Sequence, residues 1–539
     1  MIHFDSEDNI FHLFNRDVSY VIHLNGFGRL ETLYFGEKLN DLTDILKSRI
    51  VYQDNAYLDK KMSIMTPSPA YFYPESPQEI SSHAQADKRD APIIIQHENG
   101  SYLTDFEYVK HKIYHGIKPL DALPSLDAPL ERKETLYNKE NVDTLEILLK
   151  DITANVYLYE YISIYRDKDI IAKSFKIENK SKKKIRLLRA MSMQLDLPSS
   201  DYYFHHFSGA WARERQEEIN LVHDGVQEIS SNRGKSSHQE NPFFFLSKEE
   251  NNYVSGECIG FNLLYSGNWK MRMEKTMYGT LHLVYGLNDE DFAFLLGKNE
   301  SFQTPQAIIS YSSHGIDKMS QTFHSLIKED IQTDKRKNIR PLIFNSWEGT
   351  YFQFSTDSLI AYSDEARKLG VDLFVLDDGW FGKRENDSSS LGDWTVNSSK
   401  VDLHRFTKHL EEIGMEFGIW FEPEMVSSDS DLFREHPEYA LGYNENKDWS
   451  SLERHQLLLD FSNDDVVDYV FQSMSKILDE YPVKYIKWDH NRNMAEHFSS
   501  FLSVEKQGEV YHRNTLGYYK LLTKLRLKYP DILFEGCSA

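Results

Sequence analysis

Two cysteines, Cys258 and Cys537, are all that 539 residues contain, which excludes a disulfide framework and any metal site built on several thiolates. Positive charge is also scarce. With 61 Lys and Arg against 84 Asp and Glu, the formal charge is −23, and such a surface repels phosphate backbones and anionic headgroups, so neither nucleic acid nor a membrane is expected as a partner. No apolar run approaches the roughly 18 residues of a membrane span, and the opening residues MIHFDSED lack the basic and apolar regions of a secretory signal. A cytoplasmic protein is expected. Gly-x-Gly-x-x-Gly, P-loop, Gly-x-Ser-x-Gly and His-Glu-x-x-His patterns are all missing, which argues against nucleotide cofactors, a serine elbow and a catalytic metal. No cofactor is expected. Aromatic residues, by contrast, are plentiful: 32 Tyr, 32 Phe and 8 Trp supply large cores and stacking surfaces suited to a neutral ligand.

Length alone implies two or three domains. Through about residue 325 the chain runs in short alternating segments such as YVIHL at 20–24, LETLY at 30–34 and LHLVY at 281–285, separated by turn residues, the pattern of a large antiparallel β-sandwich. Stretches 74–91 and 230–242 are polar and irregular and read as exposed loops. A polar helical segment over 318–339 leads into a different regime, in which apolar strands at 341–347, 373–380, 417–423, 457–461, 485–489 and 532–537 alternate with helices at 356–369, 403–413, 464–480 and 517–528. That is the signature of βα units around a parallel sheet. Domains at 1–325 and 326–539 follow, the second a (β/α)8 TIM barrel with about six of its eight strands; the barrel is expected to continue beyond Ala539.

Each predicted barrel strand ends in polar residues: Asn345 to Glu348, Asp377-Asp378, Glu422 with Glu424, Asp460, Lys487 with Asp489, and Glu535 to Cys537. In such barrels the C-terminal strand ends build the active site. Lys487 and Asp489 are two apart and share a strand face, and an ammonium beside a carboxylate keeps it charged and able to act as a nucleophile. Asp377 and Asp378 reach one ligand only if the chain bends, which Gly379 permits; paired carboxylates suit the vicinal hydroxyls of a sugar. Trp347, Trp380, Phe381, Trp394 and Trp420 offer apolar platforms for its C–H face.

As an ordered set, NSWE at 345–348, LDDGWFG at 376–382, LGDW at 391–394, GIWFEPEM at 418–425, LDFS at 459–462 and KWDHNR at 487–492 resemble glycoside hydrolase family 36, the microbial α-galactosidases. The resemblance implies a β-supersandwich followed by a catalytic barrel, and retaining hydrolysis of terminal α-galactosides such as melibiose and raffinose. It makes Asp489 the nucleophile. Asp377, Asp378, Lys487 and Asn491 would hold the galactose hydroxyls, and Trp347, Arg454, Cys537 and Trp420 would complete the pocket. Arg89, in QADKR at 85–89, resembles a stretch by which tetrameric members finish a neighbour's site, so a homotetramer is favoured. The acid/base Asp of the family lies past the point matched by Ala539. His490 stands where the family often has Met, with its side chain expected to face away from the ligand. Alternatives within the family are an α-N-acetylgalactosaminidase or a galactosyl-transferring enzyme; outside it, a non-catalytic sugar-binding protein.

Overall fold

A computed structural model describes residues 1–43, 76–84, 87–126, 140–250, 253–332, 340–446 and 453–538. Parts of the expected loop at 74–91 and of the helical segment at 318–339, namely 74–75, 85–86 and 333–339, lie outside the described residues. The chain divides into two compact units, one of residues 1–232 with 238–331 and the other of residues 233–237 with 332–539.

The first unit is built of antiparallel sheets. A ten-stranded sheet contains Val142–Asp151, Val156–Tyr165 and Ile170–Asn179 side by side toward one edge, paired in uninterrupted register. A six-stranded sheet is organised around Ile185–Leu197, and the first four strands of the chain form a meander of their own. Half of Val156–Tyr165 alternates buried and part-buried residues, as a strand with one covered face must, and Phe244 stacks on Phe261 with centroids 4.6 Å apart. The helix Gly315–Leu326 turns Met319, Phe323 and Leu326 inward. It approaches so closely that a Cβ on Gly260 would stand 2.5 Å from Met319 Sδ.

The described residues of the stretch 74–91, namely 76–84 and 87–91, are irregular as expected, but they do not form an exposed loop. Gln78, Glu79, Ser81 and Ser82 are buried, because Glu79 pairs with the fully buried Lys173 and accepts from Tyr20 Oη and Thr32 Oγ1 at 2.5 and 2.6 Å. Glu160 lies 3.2 Å from the same ammonium. One cation cannot serve two dry carboxylates equally: burial works against both, Lys173 outweighs it at Glu79, which stays below the usual range, and Glu160 is driven well above it.

The second unit contains a parallel sheet in the order β1 (Ile343–Asn345), β2 (Leu373–Leu376), β3 (Glu416–Phe421), β4 (Val483–Trp488), β5 (Leu533–Gly536). Around it run α1 (Thr356–Lys368), α2 (Leu403–Glu412), α3 (Asp464–Glu480) and α4 (Val510–Lys528). This is a partial barrel. Ser355, Asp402 and Asn463 cap the first three helices through their side chains, as those residue types do by accepting from orphan N–H groups. Two expectations need correction. Residues 457–461 do not add a sixth parallel strand: Leu457–Leu458 pairs antiparallel with Met425–Val426. And α4 begins at Val510, not at 517, since Gly517 is no breaker here; a Cβ on it would stand 1.9 Å from Phe461 O, so glycine is what lets the helix lie against that backbone. Among the described residues no helix is long and apolar enough to cross a membrane.

Candidate active site

Strand parity decides what the sheet presents. Leu373 and Val375 of β2, Tyr485 of β4 and Leu533 of β5 form one small apolar cluster with Ile343 of β1, while Phe374, Leu376 and Ile486 pack into the larger core. Gly418 belongs to the first face, because a Cβ there would stand 3.0 Å from Tyr485 Cβ and Val375 Cγ2. Continuing the same parity along each strand brings Asn345, Asp377, Trp420, Lys487 and Cys537, then Glu422 and Asp489 just past the strand ends, to one end of the sheet. The side-chain bonds agree.

Asp489 is 7% exposed. Its Oδ2 accepts from Asn491 Nδ2 at 2.7 Å and Trp420 Nε1 at 3.1 Å, and its Oδ1 from the backbone N–H of His490 at 3.0 Å. The Cys537 thiol also bonds to it, and burial with the charge of Asp489 pushes that thiol up to about 12. Cys537 therefore stays a protonated donor. Asp377 Oδ2 accepts from Asn345 Nδ2 at 2.6 Å and Lys487 Nζ at 2.8 Å, and its Oδ1 from the Asp378 N–H at 2.9 Å. Burial works against the Lys487 ammonium, but Asp377 outweighs it and holds Lys487 above its usual range.

The bend at Gly379 is present, with φ +102. It turns Asp378 onto Arg384, whose Nε and Nη2 donate at 3.0 and 2.8 Å. Burial nonetheless leaves the Asp378 carboxyl above its usual range. Glu422 is 1% exposed; its oxygens accept from Asn491 N and Gln456 Nε2 at 2.7 and 2.8 Å. Burial, then the charge of Asp489, raise it to about 8, so at neutral pH Glu422 is a neutral acid between charged neighbours. Glu424 accepts from Trp488 Nε1 at 2.9 Å and lies 3.1 Å from His490 Nδ1, which turns His490 to the opposite side from Asp489.

The residues singled out in the sequence are not all gathered here. Asp377, Asp378 and Lys487 are joined by the contacts above, as are Asp489, Asn491, Cys537 and Trp420, and strand parity brings the two groups to the same end of the sheet. Trp420 does not serve as an open platform: its ring is buried in a cluster with Phe381 and Trp394, and its contribution is an N–H. Trp347 is half-buried on the turn after β1, edge-on to Tyr351 and Phe352. Arg454 is exposed in a left-handed conformation, φ +54, and none of the site carboxylates bonds to it. Arg89 stands in the first unit, held by Asp87 at 2.9 Å and Asp196 at 3.0 Å. Asp460, expected at a strand end, is enclosed by Ser462 and Ser499 and serves the loop. Sequence reasoning missed Arg384 and Lys235, which lie on no strand end, and gave no role to Glu422, although strand parity from Trp420 would have found it. Among the described residues no cluster of His, Cys, Asp and Glu is arranged to hold a metal.

Two family models between them span most of the chain. The family model described as Melibiase matches residues 301–539, and that of the glycosyl hydrolase family 36 N-terminal domain matches residues 28–297. An alpha-galactosidase of Lactobacillus acidophilus is 39% identical over 100% of this chain and 72% of its own length. The chain belongs to glycoside hydrolase family 36. Its family relatives include alpha-galactosidase AgaA of Geobacillus stearothermophilus, 38% identical over 98% of this chain and 71% of its own. Among solved family 36 structures, alpha-galactosidase AgaB of the same organism superposes with a TM-score of 0.92 at 37% identity, covering 100% of this chain and 72% of that one. A crystal structure of AgaA in complex with raffinose gives 0.91 at 38% identity, with 98% and 72% covered.

Proposed function

We propose that the protein is an exo-acting α-galactosidase that removes terminal α-galactosyl residues from oligosaccharides such as melibiose and raffinose by double displacement, with Asp489 as the nucleophile. The observation that carries this reading is the Asp489 carboxylate itself, placed at the inward end of β4 and aimed by Trp420, Asn491 and the His490 N–H. Donors on three sides fix its orientation, which is what a nucleophile needs to meet an anomeric carbon in line. A covalent glycosyl-enzyme then forms as the leaving oxygen takes a proton. Retention requires a second carboxyl about 5–5.5 Å away, the part that the family's acid/base Asp plays in this reading.

Asp377 with Lys487, and Asp378 with Arg384, offer hydroxyl acceptors whose cations keep them in place, and Asn491, Cys537 and Trp347 line the same sugar subsite. In this reading Arg454 belongs to the same pocket, as the family resemblance implies, and Arg89 acts on the site of a neighbouring subunit in a tetramer. The enzyme is proposed to work in the cytoplasm. Replacing Asp489 by Ala in the full gene product tests the central claim: turnover of an aryl α-galactoside is expected to fall by roughly 10⁴-fold or more with the melting temperature little changed. Wild-type turnover in that variant would overturn the reading.

A further inference from the structure

The stretch 230–242 reads as an exposed loop, yet residues 233–237 belong to the second unit, and Lys235 is only 8% exposed. Its Nζ donates to the His490 carbonyl at 2.9 Å and to Ser538 Oγ at 2.6 Å, while Ser538 Oγ donates to the same carbonyl at 2.9 Å. Three chain segments far apart in sequence thus meet in a closed triangle. One corner is the residue directly after Asp489, whose own N–H holds Asp489 Oδ1 at 3.0 Å; another is the residue directly after Cys537. The backbone is fitted to the same place. Met494 N–H donates to Arg233 O at 2.9 Å, and Gly234, at φ +77, lies so near that a Cβ would stand 2.2 Å from Met494 Cβ.

We propose that Lys235 is a positioning residue for the reaction: by clamping the His490 carbonyl and Ser538, it fixes the turn that aims Asp489 and the start of the loop that follows β5. This rests on Asp489 being the nucleophile. A carbonyl with two donors on it cannot swing, and the peptide that carries the His490 N–H is coupled to it through a single residue, so loss of the clamp loosens Oδ1 first. The cation has a second use. Burial pushes the Lys235 ammonium down to about 8 against the attraction of nearby carboxylates, Glu424 first, and a cation retained there offsets the repulsion between Glu424 and Asp489. A methionine, unbranched and nearly as long, would fill most of the space but leave the carbonyl with one donor and the carboxylates without this cation.

The test is kinetic, in the full gene product, with an aryl α-galactoside as substrate and free galactose as competitive inhibitor. For Lys235→Met, kcat is expected to fall about 10- to 100-fold, the scale of a displaced reacting group, while KM and the galactose inhibition constant stay within about twofold. A role confined to stability would lower the folded fraction and leave kcat per folded molecule unchanged, and that result would overturn the proposal, as would a raised KM with kcat intact. Ser538→Ala removes one corner without disturbing a charge, and is expected to lower kcat about 3- to 10-fold, the worth of one hydrogen bond. It decides the matter should Lys235→Met fail to fold: an undiminished kcat in Ser538→Ala then overturns the clamp. Asp489→Ala in parallel separates the two readings, since its survival sinks the nucleophile, whereas its inactivity beside a fully active Lys235→Met sinks the positioning role alone.

Discussion

Lys173 in the first unit and Lys487 in the second are both lysines on the interior of a sheet, each bonded to a buried carboxylate. Around Lys173 everything is shut: the ammonium, Glu79 and Glu160 have no exposed side-chain surface, and Tyr20 and Thr32 use up the remaining acceptors on Glu79. Around Lys487 the strands end. Its side chain is 16% exposed, its partner Asp377 is the first residue beyond β2, and the carboxylates past it are each held by a different cation or amide. The same residue types therefore do two kinds of work. Mid-strand, a paired charge is enclosed on all sides; at the C-terminal ends of parallel strands, acceptors gather at the end of the sheet where barrels of this kind build their sites.

The sharpest break in that comparison is a cut through the first cluster. Glu79→Ala leaves Lys173 buried beside a carboxyl already driven toward its neutral form, and should cost about 3–5 kcal/mol of stability, read by urea unfolding, while kcat of the folded protein is unchanged. A fall in kcat without a fall in stability would show that the cluster is not purely structural. Next comes Arg384→Met in the second region, which strips Asp378 of its two strong donors. Because Asp378 faces the proposed subsite, kcat/KM for an aryl α-galactoside is expected to drop roughly 10- to 100-fold, in line with about 1.5–3 kcal/mol for a charge-assisted bond; a purely thermal effect would move Arg384 to the structural class.

Glu422 gives the smallest effect and a pH signature. In the folded protein it keeps its proton to about pH 8, whereas its ordinary value is 4.5. An unfolded chain therefore releases this proton first as pH rises between those values, and folding loses stability across that window, by roughly 1 kcal/mol per pH unit between pH 6 and 8 from this group. Glu422→Gln is neutral throughout and should remove that slope. Equal slopes in wild type and variant would mean that Glu422 is charged beside Asp489.

Much of the second region is visible in the order of its strand-end motifs, because a parallel strand carries its inward face with period two straight past its last hydrogen bond. Lys487 and Asp489 follow from that, and so do Asp377 and Asn345. Arg384 does not, since it reaches Asp378 from an irregular loop six residues on, and Lys235 follows still less, lying 254 residues before Asp489 in a stretch whose polarity resembles any surface turn. Polarity was misleading at 76–91 for the same reason: Glu79 is buried because Lys173, on another strand, is there to meet it. Gly517 misled in the opposite direction, a helix-breaker by propensity that sits within α4 because close packing on Phe461 outweighs the cost.

The amino-acid sequence by itself determined the alternation that makes a β-rich unit precede a βα unit, the side of each barrel strand that faces inward, and the carboxylates those sides deliver. Only the tertiary structure decided how those groups are held: that residues 457–461 leave the parallel sheet, that Trp420 offers an N–H and not a ring face, that Glu422 stays neutral, and that a lysine from residues 233–237 closes on the turn after the nucleophile. Local periodicity is set by neighbours two to four residues apart, whereas the charge state and orientation of a buried group depend on whichever segments fill the space around it, and the order of residues along the chain does not specify those.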